Sequence, residues 1–171
     1  MRSTDLVGDA KHRPGGRCEA PTWWEMRSTD ALLINAGLNP NVPGHLGRTP
    51  LHILLSTLLF ADVTPLLKLG ADPTTQDDNG DATLHHLVNG TSESPQRPDL
   101  IINNIHIVVD AGLNPNMLNK RGQNVLFHIR NGEILMELLR MGVNPNIKDL
   151  SGQTPLQYAY DTEIARILKH K

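Results

Sequence analysis

Cysteine, aromatic residues and long apolar runs are all scarce in this chain. Of 171 residues one is cysteine, Cys18, and aromatic residues make up 4%. A single thiol closes no internal disulfide, and no Cys/His cluster has zinc spacing, which argues against both kinds of small cross-linked scaffold. No apolar run reaches the roughly 18 residues that suggest a membrane-spanning helix. Residues 1–25 lack the basic-then-apolar layout of a secretory signal, because Gly, Pro, Asp and Arg interrupt every candidate core. The formal charge is -2, with 20% of residues charged, which is not the basic footprint of a nucleic-acid-binding surface. These absences lead to the expectation of a soluble intracellular chain, cytoplasmic or nuclear, whose partner is neither a nucleic acid nor a membrane.

Turn formers are abundant by contrast, with 14 Gly and 12 Pro. Most cores of this size draw much of their buried area from aromatic rings. A chain that avoids rings and multiplies turn residues suggests thin stacked layers rather than one deep globular centre.

The turn residues recur in order. Four segments align: Gly37-Leu38-Asn39-Pro40-Asn41, Gly70-Ala71-Asp72-Pro73-Thr74, Gly112-Leu113-Asn114-Pro115-Asn116 and Gly142-Val143-Asn144-Pro145-Asn146. Ten residues after each leading glycine stands another, at Gly47, Gly80, Gly122 and Gly152. These second glycines are 33, 42 and 30 residues apart and open Gly47-Arg48-Thr49-Pro50-Leu51-His52, Gly80-Asp81-Ala82-Thr83-Leu84-His85, Gly122-Gln123-Asn124-Val125-Leu126-Phe127 and Gly152-Gln153-Thr154-Pro155-Leu156-Gln157. The constant ten-residue gap identifies an internal repeat.

Each unit follows from local physics. Apolar residues at helical spacing, such as Val63, Leu66, Leu67 and Leu69, or Ile134, Leu135, Leu138 and Leu139, precede the leading glycine. Glycine then ends the helix in the left-handed conformation. Asn/Asp-Pro leads into an extended segment, a polar tip closes a hairpin-like turn, and Thr49 or Thr154 is placed to cap a new helix whose first turn carries Pro50 or Pro155. Such a unit cannot bury its own apolar face, so neighbours must stack.

On these residues the chain resembles the ankyrin-repeat family. Thr49-Pro50-Leu51-His52 matches the family's four-residue signature, Leu84-His85 keeps its second half, and Thr154-Pro155-Leu156 matches up to Gln157. Gly70-Ala71-Asp72 matches the outer-helix terminator, and the three Asn-Pro-Asn copies are close variants. The resemblance covers roughly Asp30 to Lys171. It implies an all-α ankyrin-repeat solenoid of helix-loop-helix units joined by β-hairpin-like turns. The expected organisation is an irregular or disordered segment over 1–25 and a repeat domain over 26–171, with a partial first unit 26–41 and units of about 42–74, 75–116, 117–146 and 147–171.

The departures carry further expectations. The third unit lacks both the capping Thr and the His that braces the inner helix in the family, and is expected to be the least stable. The second carries about nine extra residues near Gly90 to Asp99, expected as a disordered loop. The third is about three residues short, near Asn131-Gly132. Asp30 to Ala36 reads as the outer helix of the partial first unit, with Trp23-Trp24 covering the end of the stack. The last helix, Thr162 to His170, has Ile164, Ile167 and Leu168 on one face and charges on the other, which suits a solenoid cap. Met1-Arg2-Ser3-Thr4-Asp5 recurs as Met26-Arg27-Ser28-Thr29-Asp30, a local duplication or an alternative start at Met26.

No residue pattern carries catalysis, and no catalytic, cofactor-binding or metal-ligating residue is assigned. His85-His86 are adjacent on a helix and so point about 100° apart; His85 sits where the family places its internal brace. Cys18 has no base set beside it. The glycines form neither phosphate-binding motif, and Asp77-Asp78 is read as a solvated tip. Ser94-Pro95 is an exposed candidate for phosphorylation.

Function is therefore expected from surface: a non-catalytic module that binds another protein, as a monomer, through hairpin tips and inner helices. The candidate contacts are His45, Leu46, Asp77, Asp78, Asn79, Lys120, Arg121 and Leu150. Leu46 and Leu150 are apolar where a polar tip is usual, and the tips change sign from Asp77/Asp78 to Lys120/Arg121, a gradient suited to orienting a charged partner. The alternatives are a piece of a larger ankyrin scaffold, and an enzyme on a helical frame, which would need a pocket uniting three titratable side chains. Family resemblance also marks Asn41, Asn116 and Asn146 as positions near those hydroxylated in some animal ankyrin repeats.

Overall fold

The computed structural model describes residues 39–57, 62–90, 97–159 and 161–170. The expectations for Cys18, Trp23-Trp24, the helix Asp30–Ala36 and Ser94 lie outside these residues. Among them the elements run α1 (Pro50–Thr57), α2 (Thr64–Lys68), α3 (Thr83–Gly90), α4 (Pro98–Asp110), a 3-10 turn (Val125–His128), α5 (Gly132–Arg140), α6 (Pro155–Tyr158) and α7 (Thr162–Lys169). The only pairing of strand type there is the bridge between Gln76 and Ala82.

Helix ends follow the chemistry of their sequences. Asn131 accepts from the N–H groups of Glu133 (2.9 Å) and Ile134 (3.1 Å) at the start of α5, and Asp161 accepts from Glu163 N–H (2.6 Å) at the start of α7. Each helix has an acid in its first turn and a base in its last, Glu133 and Arg140 in α5, Glu163 with Arg166 and Lys169 in α7, as the helix dipole favours. In α4, Ile101, Asn104, Ile105 and Val108 form the buried stripe at the spacing of one helical face.

The outer helices α2, α4 and α5 stop in the same way. Gly70, Gly112 and Gly142 have φ of 90°, 103° and 82°. The residue after each glycine donates back into the last turn: Ala71 N–H to Leu66 O, Leu113 N–H to Val108 O and Val143 N–H to Leu138 O, at 3.0, 3.1 and 3.1 Å. These are Schellman bonds, and Ala71, Leu113 and Val143 are buried, supplying the accompanying hydrophobic contact.

Two layers result. The inner elements contact in order, α1 on α3, α3 on the 3-10 turn, and the 3-10 turn on α6, while α4, α5 and α7 stack as the outer layer. Between them runs one continuous core, from Leu51 and Leu55 through Leu87, Ile105, Val125 and Leu135 to Ile164 and Leu168, whose buried cluster among the described residues is aliphatic.

Two expectations change. Pro98 and Asp99, assigned to the inserted loop, form the first turn of α4; proline suits that position, and the carboxylate of Asp99 pairs with Arg97 at 3.1 Å. The third unit lacks the capping Thr, and Asn124 caps in its place, accepting from Leu126 N–H at 3.1 Å. Its inner element is nevertheless a single 3-10 turn, after which Ile129 (φ -72°, ψ 136°) runs extended. The sequence shortfall is taken from this inner element.

Candidate partner-binding surface

Four fingers project from the inner layer, and backbone geometry aligns them. Within each, one N–H closes the turn: Gly44 to Arg48 O (2.8 Å), Asp77 to Asp81 O (3.0 Å), Asn119 to Gln123 O (2.9 Å) and Asp149 to Gln153 O (2.9 Å). Between fingers, Asp78 N–H donates to Leu46 O (3.0 Å), Lys120 N–H to Asn79 O (2.9 Å) and Leu150 N–H to Arg121 O (2.9 Å). The tips are thus held to one another as well as to their own bases.

The first residue of the last three fingers is a turn brace. Asp77, Asn119 and Asp149 accept from the N–H two residues on, in Asn79, Arg121 and Ser151, and from the N–H four residues on, in Asp81, Gln123 and Gln153. The remaining side-chain atoms reach the preceding finger. Asn119 donates to Asp81 Oδ1 at 2.9 Å, Asp149 accepts from Gln123 Nε2 at 3.1 Å, and Asp77 lies 3.6 Å from Arg48 Nε.

Asp77 is accordingly 5% exposed, and its assignment as a solvated contact residue is corrected. Burial acts to raise its carboxyl, but the N–H groups of Asp81 and Asn79, with His86, outweigh this and hold it below the usual range. His86 Nε2 donates to Asp77 Oδ2 at 3.0 Å. Burial and Arg48 push the His86 ring below its ordinary value against the pull of Asp77, so the contact is a neutral donor on a carboxylate. Sequence reasoning missed this because His86 belongs to the next helix.

The other candidates lie on the surface. His45, Leu46, Asp78, Asn79, Lys120, Arg121 and Leu150 are exposed, Leu150 at 82% and Leu46 at 44%. Leu46 occupies φ 60°, an uncommon conformation for a branched side chain. Lys120 also donates to Asp78 O at 2.7 Å, tying two tips together. With Asp77 buried, the exposed acid of the tip surface rests on Asp78.

The braces expected of His85 and its counterparts are present. Thr49 N–H donates to His52 Nδ1 (3.1 Å) and Ala82 N–H to His85 Nδ1 (3.2 Å), leaving His85 Nε2 to donate to Gln123 O at 3.2 Å. In the last unit Gln157 Oε1 does the same work, accepting from Thr154 N–H at 2.8 Å. The Thr49 hydroxyl lies 2.8 Å from His52 Nδ1 and is engaged there.

Asn41 and Asn116 prove to be staples between outer loops. Asn41 donates to Gly70 O (2.9 Å) and accepts from Asp72 N–H (2.7 Å); Asn116 donates to Gly142 O (3.1 Å) and accepts from Asn144 N–H (2.8 Å). The recurrence of Asn-Pro-Asn was the available signal. Thr74, in the equivalent place, turns its hydroxyl onto Asp72 at 2.7 Å.

A cleft of about 690 Å³ opens beside the shortened inner element. It is lined by Asn89, Arg121, Gln123, Phe127, His128, Ile129, Arg130, Tyr158 and Asp161. Phe127 and Tyr158 meet edge to face at 5.2 Å between centroids. Gln123 Oε1 and His128 Nε2 are buried and make no hydrogen bond among the described residues, an arrangement that normally costs about 1–3 kcal/mol per group. Burial, with His85 nearby, pushes His128 down to about 4, so the ring is neutral.

Besides Arg121 and Arg130, the cleft unites three titratable side chains, His128, Tyr158 and Asp161, yet they are not coupled. The Tyr158 hydroxyl donates to Asp149 Oδ2 at 3.0 Å, which holds the phenol above its ordinary value, and Asp161 caps α7. No hydrogen bond joins any two of the three. Among the described residues no group of three His, Cys, Asp or Glu side chains is placed to hold a metal, and no helix is long and apolar enough to cross a membrane.

Paired helices in two layers, Schellman glycines, His braces and linked fingers define a helical-repeat solenoid. No family model matches the chain. It is 28% identical, over an alignment of 198 residues covering 82% of the chain, to an ankyrin repeat protein of Acanthamoeba polyphaga mimivirus. It is 31% identical over 88 residues, 51% of the chain, to a protein of Monkeypox virus named an inhibitor of apoptosis. The chain spans 34% of the first relative and 20% of the second. With the motifs and the fold already described, the likeness to the mimivirus protein supports an ankyrin-repeat family for this chain.

Proposed function

We propose that the chain is a non-catalytic interaction module that grips another protein through its finger tips and the adjoining inner helices. The observation that carries this reading is the finger-to-finger ladder, which holds exposed His45, Leu46, Asp78, Asn79, Lys120, Arg121 and Leu150 in one fixed array. A preformed array loses little conformational freedom on binding, which favours affinity. Leu46 and Leu150 supply apolar area and the charged tips supply orientation. Likeness to a repeat family whose members commonly bind proteins supports the reading.

The test is affinity capture from the native cell with wild type and with the variant Leu46→Ser, Lys120→Glu, Arg121→Glu, Leu150→Ser. The variant is expected to lose specific partners while keeping its helical circular dichroism. Undiminished capture by the folded variant removes the tips from the binding surface.

A further inference from the structure

A cleft opens beside the shortened inner element of the third unit. Inner helices α1 and α3 each have eight residues, whereas Val125–His128 is one turn of four, and α6, which packs on it, is equally short. Beyond it the chain runs extended through Ile129 to Asn131, whose φ and ψ are -125° and 127°. The space that further helical turns would fill remains open between Asn89 at the end of α3 and Tyr158 and Asp161 on the far side.

The polar chemistry of this cleft is unfinished in a particular way. Gln123 is buried, and its Nε2 is committed to the carboxylate Asp149 Oδ2. That acceptor settles the amide orientation, so Gln123 Oε1 stands as a buried acceptor with no donor. His128 Nε2, also buried and unpartnered, adds a second polar atom. At the rim Arg121 and Arg130 are exposed and enter no ion pair among the described residues, while Arg48, Arg97 and Arg140 each face an acid. Asp161 is the single acid of the lining, and its carboxylate caps α7. Half-buried Tyr158 supplies aromatic surface, backed by the buried side chains of Phe127 and Ile129.

We infer that this cleft seats an extended acidic segment of the partner protein. A main-chain N–H of the segment supplies the donor that Gln123 Oε1 lacks. A carboxylate side chain accepts from His128 and from the guanidinium groups of Arg121 and Arg130, and the segment's aliphatic atoms cover Tyr158. Guanidinium groups suit this role because their planar N–H pairs match a carboxylate. Arg121 belongs both to the tip array and to the cleft rim, so the segment continues the surface proposed above, and the inference rests on that reading.

The experiment uses the full chain, labelled with ¹⁵N, and two blocked peptides of the same length, Gly-Ser-Phe-Glu-Glu-Ser-Gly and Gly-Ser-Phe-Lys-Lys-Ser-Gly. The glutamate peptide is expected to bind saturably and to shift the side-chain signals of Gln123 and His128, with at least tenfold higher affinity than the lysine peptide. Arg121→Glu with Arg130→Glu should lower the glutamate peptide's affinity at least tenfold and favour the lysine peptide; both residues are exposed, and Arg130→Ser alone provides a milder variant. Leu46→Ser with Leu150→Ser serves the partner-capture assay, while Val42→Ser, exposed and outside both the tip array and the cleft lining, should leave peptide affinity unchanged.

Equal affinity for the two peptides, no shift at Gln123 and His128, or tighter binding of a twelve-nucleotide oligothymidylate overturns the inference. If that happens while the leucine variant still loses its partner, the cleft assignment fails and the tip reading stands. If neither the leucine nor the arginine variants lose a partner, the broader reading fails.

Discussion

Asn119 Nδ2 donates to Asp81 Oδ1 across 2.9 Å, joining two side chains 38 residues apart in the chain. The same Asn119 accepts through Oδ1 from its own finger, so one buried amide both shapes a turn and fixes its distance from the preceding one. Arg48 with Asp77 and Gln123 with Asp149 repeat the relationship, each with a different chemical pair. The fingers therefore match their neighbours in order, and a finger from one position could not be exchanged for another without loss of complementarity.

Replacing Asn119 tests this directly. Asn119→Ala removes the acceptor of two N–H groups and the donor to Asp81, and should cost about 3 kcal/mol, the scale of orphaned buried polar groups. Asn119→Asp keeps the turn acceptor, as Asp77 and Asp149 do, but sets a carboxylate against Asp81. It should also destabilise the fold in urea titrations near neutral pH. Wild-type stability of Asn119→Asp would show that the side-chain link contributes nothing.

Glycine is required most strongly where fingers touch. Gly80 and Gly142 share φ near 80° (78° and 82°), so an alanine at either incurs a similar left-handed penalty of roughly 1–2 kcal/mol. At Gly80, however, the added Cβ would lie 2.7 Å from Lys120 N, whereas at Gly142 it meets nothing within 4 Å. Gly80→Ala should therefore be the more destabilising of the two by thermal unfolding. Equal losses would mean that the fingers separate freely.

Asn131 caps α5 with two accepted bonds. Asn131→Ala should cost about 1 kcal/mol, and Asn131→Asp should retain most of the stability, as cap preferences predict. Chemical denaturation of the three proteins checks the order, and an alanine variant as stable as the aspartate one contradicts it.

Acid should loosen the inner layer. Burial foremost lowers His52 and His128 to about 4 from 6.5, and lowers His85 and His86. A neighbouring His86, 5.0 Å away ring to ring, adds to the effect on His52. Groups with depressed folded values bind protons preferentially in the unfolded chain, so their contribution is complete above about 6.5 and is lost as pH falls towards 4. The slope is at most about 1.4 kcal/mol per pH unit for each histidine. Unfolding midpoints at pH 7, 6 and 5 should fall in that order. His52→Gln, which can brace Thr49 as Gln157 braces Thr154, should reduce the slope; a midpoint that rises on acidification refutes the assignment.

Much of the architecture was legible in the chain. The glycines read as left-handed caps do have positive φ at Gly70, Gly112 and Gly142, and the His85 brace lies where the motif put it. These features are local, made by residues within a few positions of one another, and local geometry repeats whenever the sequence does. Asp77 was misjudged for the opposite reason. A polar residue in a turn looks solvated until His86 and Arg48, brought in by other elements, cover it.

The sequence alone determined the units, their helix ends and their turns, because glycine, proline and capping side chains act on the backbone beside them. Tertiary structure decided which side chains complete one another across units: Asn119 with Asp81, Asn41 with the Gly70 loop, and Gln123 with Asp149 but with Oε1 left open. That pairing depends on stacking distance, which no single repeat contains. The cleft has the same origin, since a few absent residues become a cavity only when full-length neighbours stand on the side of α3.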